Sequence, residues 1–297
     1  MTTVTRRQLI GAVGAAAFSA GSTRPGVVAA ETVGLVGQLG QGRLTQSVCR
    51  WCYRDIPLRD FFRQVSALGL TAVDLLQPDE WPIAQEYGLT CSTGYGGADS
   101  ITDGLNDPAN HAEIVRKLET NLPRAAAAGV PQVIAFFGNR RGLSDAAGIN
   151  NCVAVLEQIA PIAESENVTL VIELLNSRVS HPDYQGDRTS FGVEVVRRVD
   201  SSHVKLLYDI YHMQIMEGDV IRTIRDNQQY IAHYHTAGVP GRHELDDTQE
   251  LNWPAICRAL VETGYQGYFA HEFIPTRDPM TSLGDAVELC TVSLSRA

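Results

Sequence analysis

The amino-acid sequence predicts an α/β fold, a single (β/α)8 TIM barrel, from three observations. Short apolar runs typical of strands alternate eight times with amphipathic segments typical of helices along the 297 residues. Strict alternation is typical of a parallel sheet covered by helices, and eight units favour closure into a barrel, which needs about 250 residues. No G-x-G-x-x-G motif follows the first predicted strand, which argues against a dinucleotide-binding sheet.

The predicted strands are short runs of β-favouring apolar residues, and the predicted helices carry apolar residues at helical spacing. Gly69 and Gly129 follow two of the helices as stop signals. The glycine-rich segment 94–97 is predicted to be a loop. The predicted strands are 47–51, 71–75, 89–93, 133–137, 168–172, 204–208, 231–234 and 268–273. The predicted helices are 56–67, 78–87, 108–128, 145–166, 189–199, 218–227, 253–262 and 284–294.

The first thirty residues differ from the barrel in composition. Arg6 and Arg7 precede a weakly apolar stretch of small residues at 11–20, and residues 28–30 (Val-Ala-Ala) form a cleavage-like site. This arrangement resembles a Tat-type export signal, although a disordered terminus with two chance arginines stays open. We therefore expect a signal peptide at 1–30, a flexible lead-in at 31–44 and a barrel domain at 45–297, in a protein exported to the periplasm or beyond.

The charge of the chain limits its partners. The formal net charge is -10, and residues 1–30 contain three arginines and no acid, so a chain without them carries -13. An acidic surface repels phosphate backbones, so nucleic acid is not an expected partner. No run of about 18 apolar residues occurs after residue 30, so no membrane span is expected there.

Six cysteines are present, and Cys49 and Cys52 are spaced as in a C-x-x-C redox motif. No second pair exists that would complete a zinc site. An exported protein can form a disulfide. We nevertheless expect most of the six to be buried free thiols, which pack as small hydrophobes.

Four successive predicted strands deliver a metal-type ligand at or near the carboxyl end. These residues are Glu173, Asp209, His235 and Glu272. Functional groups of a barrel lie at this edge, and a carboxylate at the end of a buried strand is costly unless it is paired. Four such residues at equivalent places indicate a shared site better than four separate core residues. Three carboxylates and one imidazole suit Mg²⁺ or Mn²⁺, whereas structural zinc prefers thiolates.

Three further segments carry a resemblance to a known family. They are YDIYHMQIMEG at 208–218, VPGRHE at 239–244 and ELN at 250–252. They closely resemble the hydroxypyruvate isomerase family, which belongs to the xylose-isomerase-like TIM barrels, and the resemblance runs from Ser47 to Asp278. It implies a metal-dependent isomerase that converts hydroxypyruvate to 2-hydroxy-3-oxopropanoate by proton transfer through an enediol.

The resemblance also implies roles for individual residues. Glu173 and Glu272 are expected to donate and accept the proton as well as to bind the metal. The expected metal ligands are Glu173, Asp209, His235 and Glu272. Two further roles follow from the residues themselves and not from the resemblance. Arg242, in the loop at 241–244, is expected to bind a substrate carboxylate, with an ordinary surface arginine as the alternative. His212 is expected to hydrogen-bond either a substrate oxygen or Asp209.

Other functions stay open. Many hydroxypyruvate isomerases carry Gln where this chain has His235, and the related ketohexose 3-epimerases carry His, so a ketose 3-epimerase or another sugar isomerase is the alternative. A metal-dependent hydrolase or nuclease on the same barrel normally has a basic face, which this chain lacks. A non-catalytic sugar-binding protein normally has two hinged lobes rather than one barrel. The expected partner is therefore a small hydroxy-keto acid or a ketose, and a homo-oligomer stays open.

The export signal makes a prediction that can be tested separately from the barrel. Replacing Arg6 and Arg7 by lysine should retain a reporter fused to residues 1–30 in the cytoplasm, because the export receptor recognises the twin arginine. Cell fractionation of the variant and the unmodified fusion measures this. A lysine variant that is still exported and cleaved contradicts the prediction.

Overall fold

The computed structural model describes residues 43–292, which belong to the compact unit Leu39–Ala297. The expected signal peptide at 1–30 and the lead-in up to residue 42 lie outside the described residues. Within 43–292, no helix combines the length and the apolar character that crossing a bilayer requires.

Nine parallel strands in the described part of the chain form the wall of a barrel. The strands are β1 (Thr45–Val48), β2 (Ala72–Val73), β3 (Thr90–Cys91), β4 (Gly94–Ala98), β5 (Gln132–Phe136), β6 (Thr169–Leu174), β7 (Val204–Asp209), β8 (Ile231–Thr236) and β9 (Tyr268–His271). Seven of them form one sheet in the order β1-β9-β8-β7-β6-β5-β4, and β2 pairs with β3. The Asp74 amide donates to the Val48 carbonyl (2.8 Å), which joins β2 to β1. The Tyr95 amide donates to the carbonyl of Leu76 (3.0 Å), three residues after the end of β2. This bond joins β4 to the β2 segment and closes the barrel.

Helices connect successive strands, and several of them begin at a side chain that caps the first turn. They are α1 (Leu58–Ala67), α2 (Trp81–Gln85), α3 (Pro108–Ala127), α4 (Asp145–Glu166), α5 (Thr189–Val199), α6 (Ile210–Met216), α7 (Val220–Asn227), α8 (Trp253–Glu262) and α9 (Pro279–Val292). Asp107 accepts a hydrogen bond from the Ala109 amide at the start of α3, and Ser144 accepts one from the Ala147 amide at the start of α4. These bonds satisfy amides that have no partner inside the helix. Only residues 92 and 93 separate β3 from β4, so these two strands occupy one position of the wall, and the predicted (β/α)8 barrel is confirmed.

Two predictions of local structure were wrong. The glycine-rich segment predicted to be a loop is β4, which pairs with β5. A Cβ on Gly94 would lie 2.8 Å from the Trp81 ring, so glycine is required there for close packing rather than for a turn. No helix was predicted between β7 and residue 218, but α6 begins directly after β7. Its seven residues are too few to show a clear helical pattern in the sequence.

The long loop that follows β8 is fastened to the loop that follows β9 by one buried carboxylate. Glu244 accepts hydrogen bonds from the amide and hydroxyl of Thr276 (2.8 and 2.9 Å) and from the Ser282 hydroxyl (2.9 Å). Burial alone would raise the pKa of Glu244, but these bonds to the ionised form lower it to about 2.

This depressed pKa predicts how the stability of the protein depends on pH. Glu244→Gln should lower the free energy of unfolding by about 1.5–3 kcal/mol at pH 7, the usual value of hydrogen bonds to a charged group. The stabilisation requires the ionised form, so it is complete above the ordinary value of 4.5 and is lost as the pH falls toward about 2. Thermal unfolding across this range measures the gap between wild type and variant. The exposed Glu288→Gln is the control and should show no gap; a Glu244→Gln gap that stays constant down to pH 2 contradicts the prediction.

Candidate functional site

The structure brings the four predicted ligands together at the carboxyl edge of the barrel. Glu173 lies near the end of β6, Asp209 is the last residue of β7, His235 lies in β8 and Glu272 directly follows β9. Asp209 and His235 are direct neighbours in the parallel register of β7 and β8. One ligand atom from each of the four lies within 4.8 Å of the others, and each residue is at most 4% exposed.

The chemistry and spacing of these atoms fit a divalent ion. Three carboxylates and one imidazole are hard oxygen and nitrogen ligands, which suit Mg²⁺ or Mn²⁺. An octahedral ion with ligands at about 2.1 Å separates opposite ligands by about 4.2 Å, which the observed spacing accommodates with small adjustments. His235 directs Nδ1 at this group, 3.1 Å from Glu173 Oε1 and 2.9 Å from Glu272 Oε2. The four residues can therefore hold one metal ion, and four protein ligands leave about two octahedral positions for other oxygens.

Arg242 lies beside the ligand cluster rather than on the surface. Its Nη2 is 2.5 Å from Glu272 Oε2 and 3.3 Å from Asp209 Oδ2. The guanidinium is held between the rings of Trp51 and Tyr211, 5.2 Å from each centroid, as in cation–π contacts. Burial alone would lower the pKa of Arg242, but the carboxylates of Glu272 and Asp209 raise it well above its ordinary value. The guanidinium therefore stays charged and compensates part of the negative charge of the cluster.

His212 is a buried neutral imidazole that also faces the cluster. The backbone amide of Asn176 donates to its Nδ1 (3.0 Å), so the proton of the neutral ring is on Nε2. That nitrogen lies 3.5 Å from Asp209 Oδ2 and 3.1 Å from Nη1 of Arg242. Burial lowers the pKa of His212 well below its ordinary value. The His212 amide in turn donates to Asp209 Oδ1 (3.1 Å) at the start of α6, so both expected roles of His212 are compatible with its position.

The two glutamates of the cluster differ in their surroundings. Burial raises the pKa of Glu173, and the nearby charge of Glu272 raises it further. Burial would also raise the pKa of Glu272, but Arg242 and His235 lower it well below its ordinary value. Trp51 contributes as well, because its indole N–H donates to Glu272 Oε1 (2.6 Å). The protein thus favours the carboxylate form of Glu272 more strongly than that of Glu173.

Two residues of this site were missed from the sequence. Trp51 lies in a 3-10 helix that follows β1, between the two cysteines of the C-x-x-C segment, whose spacing drew attention to the thiols alone. Asp74 directly follows β2 and is completely buried, with Oδ2 2.9 Å from His235 Nε2. An acidic residue near the end of a predicted strand was the signal that could have identified Asp74, since the same rule selected the four ligands.

The six cysteines are free, and all except the partly buried Cys52 are buried. This agrees with the expectation of buried thiols. Cys49 lies beneath the cluster, with Sγ 3.8 Å from His235 Nε2, and burial raises its pKa well above the ordinary value. A neutral thiol in this position packs against the imidazole as a small apolar group.

The fold and the site agree with comparisons with known proteins. A family model described as "Xylose isomerase-like TIM barrel" matches residues 62–291. The chain belongs to the xylose isomerase-like TIM barrel family. A solved structure of the same architecture, an AP endonuclease, family 2, from Brucella melitensis, aligns with a TM-score of 0.74 at 24% identity and covers 81% of this chain and 97% of that chain. At this identity the likeness concerns the fold alone.

Two relatives of this xylose isomerase-like barrel are named as isomerases. A "2-oxo-tetronate isomerase" from Cupriavidus necator is 35% identical over 246 residues, which cover 78% of this chain and 93% of that protein. A "Putative hydroxypyruvate isomerase" from Danio rerio is 37% identical over 120 residues, which cover 40% of this chain and 44% of that protein. The second match therefore spans less than half of the relative.

The ligand cluster predicts the metal content of substituted proteins. Each loss of a donor from a four-ligand set should lower the bound Mn²⁺ or Mg²⁺, because the remaining donors no longer enclose the ion. The variants are Glu173→Gln, Asp209→Asn, His235→Ala and Glu272→Gln. The proteins are loaded with Mn²⁺ or Mg²⁺ and dialysed to remove free metal, and elemental analysis then measures the stoichiometry of bound metal. Glu288→Gln on the surface of α9 is the control. Wild-type stoichiometry in all four variants excludes a shared site.

Proposed function

We propose that this protein is a metal-dependent isomerase that moves a proton between neighbouring carbons of a short hydroxy-keto acid, with hydroxypyruvate and 2-hydroxy-3-oxopropanoate as the pair of compounds. The buried cluster of three carboxylates and one imidazole supports this proposal most directly. The names of the relatives from Cupriavidus necator and Danio rerio support it further, since both are named as isomerases of oxo acids. A divalent ion held by the cluster would stabilise negative charge that develops on adjacent substrate oxygens.

The reaction needs two groups that exchange protons with carbon. A carboxylate removes a proton from C3 of hydroxypyruvate, and the electron pair of that C–H bond forms the C2–C3 double bond of an enediol, while the C2 oxygen gains a proton. Return of a proton to C2, with loss of the proton on the C3 oxygen, gives 2-hydroxy-3-oxopropanoate. No electrons leave the substrate, so no redox cofactor is needed. Glu173 and Glu272 are the proposed acid–base pair, because they belong to strands on different sides of the cluster and are buried from bulk water.

Arg242 and His212 are the proposed donors to substrate oxygens. Arg242 Nη1 directs an N–H at Nε2 of His212 (3.1 Å), and with the ring proton on Nε2 this contact is not a hydrogen bond, so both N–H groups need another acceptor. Two donors side by side are satisfied together by an oxygen that accepts from both. A guanidinium also matches a carboxylate in shape and charge, which favours an acidic substrate over a neutral one.

Hydroxypyruvate in deuterated buffer with Mn²⁺ or Mg²⁺ tests the proposal. We expect turnover to 2-hydroxy-3-oxopropanoate with deuterium at C2, detected by proton NMR, because the enediol is protonated by a group that exchanges with solvent. Glu173→Gln and Glu272→Gln should each lower kcat by at least about 10²–10⁴-fold, the usual range for general acid–base catalysis. Activity on ketohexoses with none on hydroxypyruvate contradicts the substrate assignment and supports the epimerase alternative.

Two arginine-to-alanine variants distinguish recognition of the substrate carboxylate from general effects on the loops. Arg242→Ala should raise KM for hydroxypyruvate more than it lowers kcat, since Arg242 is proposed to hold a group that does not react. Arg178→Ala is the matched control, because Arg178 is an exposed loop arginine at the same edge that donates to the Ile215 carbonyl (2.9 Å) instead of to the ligand cluster. Equal KM changes in the two variants contradict the assignment.

A further inference from the structure

Asp74 connects the ligand cluster to a second layer of buried polar side chains. Its Oδ2 lies 2.9 Å from Nε2 of His235 and 2.9 Å from Nε2 of His233. Its other oxygen accepts a hydrogen bond from the Ser92 hydroxyl. Asp74 and both imidazoles are completely buried, so these contacts are shielded from bulk solvent. An ionised carboxylate only accepts hydrogen bonds, so Nε2 of each imidazole carries the proton that is shared with Asp74.

This contact determines which nitrogen of His235 is free to bind a metal. With a proton on Nε2, the lone pair of the neutral ring is on Nδ1. Nδ1 is the nitrogen that faces Glu173 and Glu272. The opposite tautomer would place a hydrogen between the ring and the ion and would leave Nε2 without a proton to donate to Asp74.

Asp74 is itself held from the side that faces away from the cluster. His233 and His235 are two residues apart on β8, so they face the same side of the strand. The Thr93 hydroxyl lies 3.2 Å from His233 Nδ1 and 3.0 Å from Gln132 Oε1, and its one proton is donated to either of these acceptors. This row of hydrogen bonds crosses the barrel interior and connects Asp74 to β5.

We propose that Asp74 is a positioning residue that holds His235 in the tautomer and orientation that present Nδ1 to the metal ion, and that His233 fixes Asp74 without binding the ion. The proposal rests on the metal site of the proposed function. Carboxylates that accept from the far nitrogen of a ligating histidine fix its ring and increase its basicity, and their loss costs about 10–100-fold in metal affinity. Asp74 touches neither the reacting carbons nor, by this proposal, the ion.

Titration with Mn²⁺, followed by electron paramagnetic resonance of the free ion, tests this role in the purified protein. Asp74→Ala should raise the Kd for Mn²⁺ by about 10–100-fold. Asp74→Asn keeps one oxygen that accepts but loses the charge, so its Kd should rise by less. Thr93→Val is the matched control: it is equally buried and breaks the same row of hydrogen bonds, but leaves the contact between Asp74 and His235 intact. It should lower the Tm and raise the Kd far less than Asp74→Ala does.

A spectroscopic measurement separates positioning from loss of packing. In the Mg²⁺-loaded protein with ¹⁵N-labelled histidine, the Nε2–H signal of His235, identified by its absence in His235→Gln, should be protected from exchange in wild type and Thr93→Val. It should be lost or exchange rapidly in Asp74→Ala.

Three results overturn the role of Asp74. The first is a folded Asp74→Ala protein with wild-type Kd, and the second is a Thr93→Val protein whose Kd rises as much as that of Asp74→Ala. The third applies when Asp74→Ala does not fold: Asp74→Asn then decides, and a wild-type Kd in that variant rejects the role. Wild-type protein that binds no Mn²⁺ rejects the metal site altogether. Failure to turn over hydroxypyruvate, with these affinities as expected, rejects only the proposed substrate.

Discussion

Three carboxylates buried at one edge of the barrel are the constraint on which the rest of the site depends. Glu173, Asp209 and Glu272 have lost their hydration and repel one another, which is unfavourable unless positive or hydrogen-bonding groups surround them. Arg242 meets two of the three through Nη2, and without a metal ion His235 donates to two of them when Nδ1 is protonated as well as Nε2. A divalent ion would complete the compensation, so metal binding and the stability of the edge are expected to be coupled.

The loop that carries Arg242 is shaped by this requirement. Arg242 has φ +61°, a left-handed conformation that costs a non-glycine residue about 1–3 kcal/mol. Contacts on both sides offset that cost: the Ile274 amide donates to the Arg242 carbonyl (2.7 Å), and Glu244 fastens the loop two residues further on. The aromatic ring of Trp51 covers the guanidinium. The strained loop thereby holds a permanent positive charge against the carboxylates.

The interior of the barrel is layered in polarity. The ligand cluster forms the layer at the carboxyl edge, and Asp74, His233 and Thr93 form a polar layer beside it. Each of these side chains is hydrogen-bonded, as buried polar groups must be if the interior is to tolerate them. The polar layer is therefore a rigid support for the ligands rather than a weak point of the core.

The sequence by itself determined the barrel and the clustering of the four proposed ligands, because both are encoded locally. Alternating strand and helix patterns identify the units, and a polar residue that ends a buried run is visible within a few residues of that run. Tertiary structure decided the rest. Trp51 meets Glu272 across 221 positions and Asp74 meets His235 across 161, so no local pattern pairs them. Gly94 lies in a strand because the Trp81 ring leaves no space for a side chain, although glycine in a sequence favours a loop. Such contacts depend on the closure of the barrel, which brings the carboxyl ends of all its strands to one edge and thereby makes neighbours of residues that are distant along the chain.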